Sequence, residues 1–207
     1  MKKRRPQEKR ERVDLTIDLG FLRLRNPVLA ASGTFGYGLE FKPFVNLDKL
    51  GGIVVKGLYF NPRPGNPPPR LAESASGLIN SIGLQGIGVR AFCEKVLPRL
   101  QGLQTPIIVN VCGETDEEYA AVIDYLNKDR RIAAYELNIS CPNVKKGGLC
   151  PALNPDHTFS LVRLAKETSL HNEYFLRVSN VFNSEQIVFN DIPFRERTWV
   201  LGWTHRF

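Results

Sequence analysis

Glu136-Leu137-Asn138-Ile139-Ser140-Cys141-Pro142-Asn143 decides how this chain is read. The stretch is a short apolar strand that ends in a row of amide, hydroxyl, thiol and amide groups. A strand buried on both faces ordinarily stays apolar to its end, so the polar row marks a site. Pro142 stops the strand and leaves the Cys141 thiol at its C-terminal mouth. A lone cysteine fits a buried structural thiol equally well; the other strands decide between the two readings.

Upstream, the chain alternates strands with helices. Val13 to Gly20 and Phe21 to Asn26 alternate apolar with polar residues on either side of a glycine, which predicts a hairpin. Pro27 to Ala31, Gly52 to Lys56, Pro106 to Val111 and Ala134 to Ile139 read as buried parallel strands. Val89 to Leu100, Asp116 to Asn127 and Phe159 to Glu167 carry helical periodicity, the second opening on the acidic run Asp116-Glu117-Glu118 that suits a helix N-terminus. Such units predict an α/β fold with a parallel sheet, either an open doubly wound sheet or a closed barrel. The strand ends favour the barrel. Ala31-Ser32-Gly33, Lys56, Asn110 and Asn138 through Cys141 put small or polar residues at the C-terminal ends of successive strands, whereas an open sheet gathers its ligand contacts at one switch point.

Composition narrows the class. With 43% hydrophobic and 24% charged residues, the 207-residue chain reads as one globular domain, and no stretch approaches the apolar length that spans a bilayer. The net charge of +7 suggests nucleic acid until it is located: seven basic residues in 1–12 stand against Glu8 and Glu11 alone. Residues 1–12 therefore read as a basic, disordered arm with no apolar run, neither signal peptide nor membrane anchor. No aromatic-basic RNA motif or DNA-binding pattern accompanies the arm, so neither nucleic acid nor membrane is expected as a partner. Cys93, Cys112, Cys141 and Cys150 form no C-x-x-C pair. No metal site is expected, and reduced thiols in a cytoplasmic protein are the default.

Four motifs carry a resemblance to a known family. Asn26-Pro27 with Ala31-Ser32-Gly33-Thr34-Phe35-Gly36, then Gly65-Asn66-Pro67-Pro68-Pro69-Arg70, Asn80-Ser81-Ile82-Gly83-Leu84-Gln85 and Asn138-Ile139-Ser140-Cys141-Pro142-Asn143-Val144-Lys145 are similar in order and spacing to dihydroorotate dehydrogenase. Cysteine at 141 resembles class 1, and Leu84-Gln85 resembles subclass 1B. The resemblance implies a (β/α)8 TIM barrel of which an N-terminal hairpin and about four β/α units are present, over residues 13–168. It also implies FMN-dependent oxidation of dihydroorotate to orotate in pyrimidine biosynthesis. By that resemblance Cys141 is the base that removes the C5 proton, while Lys56, Asn80, Gly83, Leu84 and Asn138 meet the substrate. Ala31, Ser32, Lys56 and Asn110 meet FMN. The partners it implies are a second barrel in a homodimer and an iron-sulfur flavoprotein subunit carrying FAD and a [2Fe-2S] cluster, through which NAD+ is reduced.

Residues 169–207 depart from the pattern. They hold no alanine, one glycine, both tryptophans and five of the twelve phenylalanines, and the glycine-rich segments that would close a barrel around the FMN phosphate are missing. Leu176 to Asn180 falls where a fifth strand would lie, yet the segment reads chiefly as an atypical tail. The expectation is thus a truncated barrel, inactive as it stands, whose fourth strand has an unpaired edge. The alternative is a non-catalytic remnant or interaction module without bound FMN.

Overall fold

The computed structural model describes residues 13–139, 151–169 and 175–176. A hairpin of β1 (Ile17–Asp18) and β2 (Arg23–Leu24) comes first, followed by β3 (Leu29–Ala30), β4 (Gly52–Leu58), β7 (Ile107–Val111), β8 (Ile132–Leu137) and β9 (Phe175–Leu176) in one sheet. Between β4 and β7 stand a second hairpin, β5 (Leu71–Ser74) and β6 (Gly77–Asn80), and a helical segment that begins as α1 (Gly88–Ala91). The helix α2 (Asp116–Leu126) follows β7, and α3 (Pro155–Thr168) lies between β8 and β9.

The sheet order β3-β4-β7-β8-β9 is the chain order, and every neighbouring pair is parallel. A doubly wound sheet reverses its order at a switch point; a barrel adds each strand on the same side. The described strands do the second, which resolves the choice that the strand pattern left open. One expectation needs correction. Tyr135 and Glu136 of β8 pair with Phe175 and Leu176, so the fourth strand of the sheet is not left with a bare edge there.

Strand alternation sorts the core into two sides. Ile53, Val55, Val109, Tyr135 and Leu137 pack outward against Phe92, Leu97, Val122, Ile123, Leu126 and Leu161. Val54, Ile108 and Ala134, which are register partners across β4, β7 and β8, point inward and meet Phe21, Leu22 and Leu29. The first hairpin thus plugs the sheet's concave side with Phe21 and Leu22 of its turn. The helix α2 buries Tyr119, Val122, Ile123 and Leu126 at the i, i+3, i+4, i+7 spacing of one face, and the Thr115 side chain caps it by accepting from the Glu118 N–H. The helix expected over 89–100 forms over 88–100 but changes pitch, with a π turn at Phe92–Val96 and a 3-10 turn at Leu97–Leu100. Pro98 lacks the N–H that a regular helix needs there.

Gly51 joins the first sheet strand to the second. Its N–H donates to the Val28 carbonyl at 2.8 Å, and a Cβ built on it would stand 1.9 Å from the Asn26 carbonyl oxygen, a backbone atom that no rotamer change can move. Gly51→Ala is therefore expected to destabilise the fold by about 1–3 kcal/mol, in the range of overpacked cores. Urea denaturation followed by circular dichroism reads this, and an unchanged midpoint would show that the junction opens freely.

Candidate functional site

Two residues beyond the apolar inward layer of Val54, Ile108 and Ala134, period-two alternation brings Asn110 and Glu136 to the same concave side, and β4, whose register with β7 shifts between Val55 and Leu58, turns Lys56 and Gly57 toward it. The layer changes from wholly apolar to wholly polar in that one step. Glu136 is 2% exposed and Asn110 4% exposed, so both polar groups must be satisfied inside the protein. They satisfy each other. The Asn110 Nδ2 donates to Glu136 Oε1, and the Ser32 hydroxyl donates to the same oxygen at 2.7 Å. On its other side, Asn110 Oδ1 accepts from the Cys112 thiol and from Asn138 Nδ2, both at 3.3 Å.

Four of the residues expected from sequence thus fall on one side of the sheet, and three of them, Ser32, Asn110 and Asn138, belong to one hydrogen-bonded network. Lys56 is half-buried and is fixed in place by its backbone N–H, which donates to the Gly36 carbonyl at 2.8 Å. Among the described residues its ammonium has no hydrogen-bond or ion-pair partner. Asn138 is held from behind by the Tyr119 hydroxyl, which donates to its carbonyl. Ala31 follows β3 directly and accepts the Thr34 hydroxyl through its carbonyl at 3.0 Å.

The remaining expected residues sit elsewhere. Asn80 lies on the exposed β5–β6 hairpin, with no side-chain partner among the described residues. The hairpin's base is clamped by Arg70, whose guanidinium donates to the Asn66 carbonyl at 2.5 Å, Gln85 Oε1 at 2.8 Å and the Pro64 carbonyl at 2.9 Å. Gly83 and Leu84 follow the hairpin with φ of +73° and +57°. That setting costs a residue with a Cβ about 1–2 kcal/mol. Cys141 lies outside the described residues. The backbone is nonetheless tied close beyond it, since the Ala152 N–H donates to the Ile139 carbonyl at 3.1 Å.

Glu136 is the residue that the strand pattern offered and that received no role. Its signal was present: one acid at inward parity within Ala134-Tyr135-Glu136-Leu137. Burial raises its carboxyl pKa above the usual glutamate range, while hydrogen bonds from Ser32 and Asn110 act the other way. Gly57 makes room for the network. A Cβ there would lie 2.6 Å from Cys112 Sγ and 2.9 Å from Asn110 Oδ1.

The chain matches the family model of dihydroorotate dehydrogenase over residues 15–193. It is 48% identical over 160 residues to the dihydroorotate dehydrogenase B (NAD(+)), catalytic subunit, of Geobacter metallireducens, covering 77% of this chain and 52% of that one. It is 51% identical over 142 residues to the same-named subunit of Pelobacter propionicus, covering 69% and 47%. The chain spans about half the length of the curated relatives it matches. Among solved structures, a DHODH from Eimeria tenella in complex with ferulenol superposes with a TM-score of 0.57 at 21% identity, over 78% of this chain and 46% of that one. This likeness shows the fold, and the sheet described above corresponds to the first strands of such a barrel.

Two predictions follow from the network. Since burial raises the folded-state pKa of Glu136, the folded chain holds that proton more tightly than the unfolded chain, and this contribution is complete below the unfolded value of about 4.3. It is lost as pH rises through the folded value. The stability difference between Glu136→Gln and the parent should therefore shift in the variant's favour as pH is raised from 4 toward neutrality, read by denaturant titration at each pH. A pH-independent difference would mean that the carboxyl titrates alike folded and unfolded. Gly57→Ala should cost about 1–3 kcal/mol in the same assay and disturb the Asn110 amide resonances; full stability with unmoved resonances would show that the space beside Cys112 is slack.

Proposed function

The chain belongs to the dihydroorotate dehydrogenase family, and on that footing we propose that it supplies the N-terminal half of a class 1B-like barrel that binds FMN and oxidises dihydroorotate to orotate in pyrimidine biosynthesis. The observation that carries this reading is the single polar layer, with Ser32, Asn110 and Asn138 joined at the C-terminal mouth of the sheet and Lys56 on the same side. Barrel enzymes build their sites at that mouth.

The donor set suits a flat, heteroatom-rich ring. A Cβ built at Gly33 would meet nothing within 4 Å, and Ala31 and Ser32 beside it are small, so a planar group can approach the backbone here. Ser32 and Asn110 are assigned to the cofactor, and Asn138 and Asn80 to the substrate, because amides offer both a donor and an acceptor to alternating carbonyl and N–H groups. Gly83 and Leu84 are assigned to the loop beside the substrate. The half-buried ammonium of Lys56 favours an anion at the mouth, which suits the orotate carboxylate and the negative charge of a reduced flavin. Bound FMN would supply the hydride acceptor. Cys141 is assigned the C5 proton: a thiol of reference pKa about 8.5 reaches a basic form near neutrality with modest help from nearby cations, whereas a serine hydroxyl in its place would need far more.

The relatives' names, with NAD(+) and a catalytic subunit, support an electron outlet on another chain. We assign that outlet to an iron-sulfur flavoprotein subunit bearing FAD and a [2Fe-2S] cluster, since Cys93, Cys112, Cys141 and Cys150 lack cluster spacing. The intact barrel is assigned a homodimeric state and a cytoplasmic location; among the described residues no helix is long and apolar enough to cross a membrane. The match, which spans only about half the length of the relatives, favours a second reading in which this piece alone is a remnant that holds no FMN.

Completing the barrel behind residue 168 tests both readings. The completed protein should be yellow and bleach on adding dihydroorotate, and Cys141→Ala should keep the flavin while losing most of that bleaching. Lys56→Ala should weaken flavin or orotate binding as well as turnover. NAD+ should be reduced only when the partner subunit is added. A completed protein without flavin would remove the proposal, and a yellow, dihydroorotate-reducible 207-residue chain would remove the remnant reading.

A further inference from the structure

Glu136 has no place among the residues assigned to ligands, yet it is the hub on which they converge. The layer beneath it is apolar throughout, so an apolar side chain at 136 would serve the packing as well. Buried polar networks exchanged whole for hydrophobic groups of similar volume are often neutral or stabilising, whereas losing one member leaves its partners unsatisfied. The carboxyl is then to be explained by what it holds.

Two geometric facts indicate what that is. First, Ser32 follows β3 and Glu136 stands on β8, three places apart in the sheet order, yet their side chains meet at 2.7 Å. Strands in a sheet lie about 4.8 Å apart, so this contact is made across the concave interior rather than along the sheet. One carboxyl therefore joins both flanks of the mouth. Second, a carboxylate only accepts hydrogen bonds, so Asn110 must turn Nδ2 toward it. The Asn110 Oδ1 is thereby directed at Cys112 and at Asn138 Nδ2. With its amide nitrogen engaged, Asn138 keeps Oδ1 as an acceptor without a partner among the described residues. The polarity of three side chains thus descends from one acid.

Resting on the function proposed above, we propose that Glu136 is a positioning residue, which holds Ser32 and Asn110 in the orientation that receives the flavin and sets Asn138 to present an acceptor to an N–H of the pyrimidine. It touches neither ligand. It acts by fixing a donor and acceptor pattern that isolated amides, free to flip by half a turn, would not maintain.

Three variants separate this role from a packing role. Glu136→Gln keeps an acceptor oxygen; Glu136→Leu and Glu136→Met keep apolar bulk without one. In the 207-residue chain, the side-chain amide resonances of Asn110 and Asn138 should move in the Leu and Met variants, although Asn138 does not touch position 136, and should stay near the parent positions in the Gln variant. The thermal unfolding midpoint should be lowered for Leu or Met, which leave the buried Asn110 Nδ2 without its acceptor, while the chain stays folded. In the protein completed to the length of its relatives, Leu or Met should weaken FMN binding by about tenfold or more, as expected for losing a buried charge-assisted hydrogen bond, and Gln by less than about threefold. Unmoved Asn138 resonances, or parent-like FMN affinity in a folded Leu or Met variant, would overturn the positioning role alone. If both apolar variants fail to fold, Glu136 serves the fold and the proposal is likewise lost. A completed parent that binds no FMN would instead overturn the reading of the site, and the flavin part of this inference with it.

Discussion

Period-two alternation along parallel strands is the constraint on which this structure depends. Because β4, β7 and β8 are covered by helices on one side and turned inward on the other, each successive residue is committed to a different surrounding. The outward positions stay apolar, with Leu58 returning to that side after the register of β4 shifts beyond Val55. The inward positions are apolar for Val54, Ile108 and Ala134 and polar two residues later. That change of character at a single height turns a packing element into a site. It also explains why the polar residues arrive together, since register brings Asn110 beside Glu136 in the sheet.

Burying such a layer is costly unless its hydrogen bonds close on themselves. Here they largely do: Glu136 Oε1 serves two donors, and both atoms of the Asn110 amide are engaged. Gly57 contributes by absence, leaving the volume that Cys112 and Asn110 occupy. Lys56 differs from its neighbours in the layer, with a cation that none of the described residues neutralises. The layer thus combines a closed carboxyl-amide pair with a cation that has no partner among the described residues.

Loops set the limits of legibility. The β5–β6 hairpin went unrecognised because its strands are exposed on every residue and so show no burial alternation, even though Ala75-Ser76-Gly77 between two short β-forming runs is a turn signal. The pitch changes along 88–100 were likewise hidden, because the apolar spacing of an irregular helix differs little from that of a regular one. Leu176 illustrates a different failure. A two-residue strand has too little pattern to stand out, and its pairing with Glu136 depends on a neighbour forty residues away in the chain.

By itself the sequence determined the positions of the main strands, the acidic N-terminus of α2, and the motifs that resemble the family, because these depend on residues adjacent or at fixed helical and strand spacing. It also placed Ser32, Lys56, Asn110 and Asn138 at strand ends. Only the tertiary structure decided that the sheet winds in one direction, and that Ser32 meets Glu136 across its concave side while Lys56 is left without a described partner. It also placed Asn80 apart, on an exposed hairpin. The physical reason is that hydrogen-bond partnership depends on distance through space. Residues 32, 110 and 136 are separated by long stretches of chain, and sheet curvature and register, which no local pattern encodes, bring them to one oxygen atom.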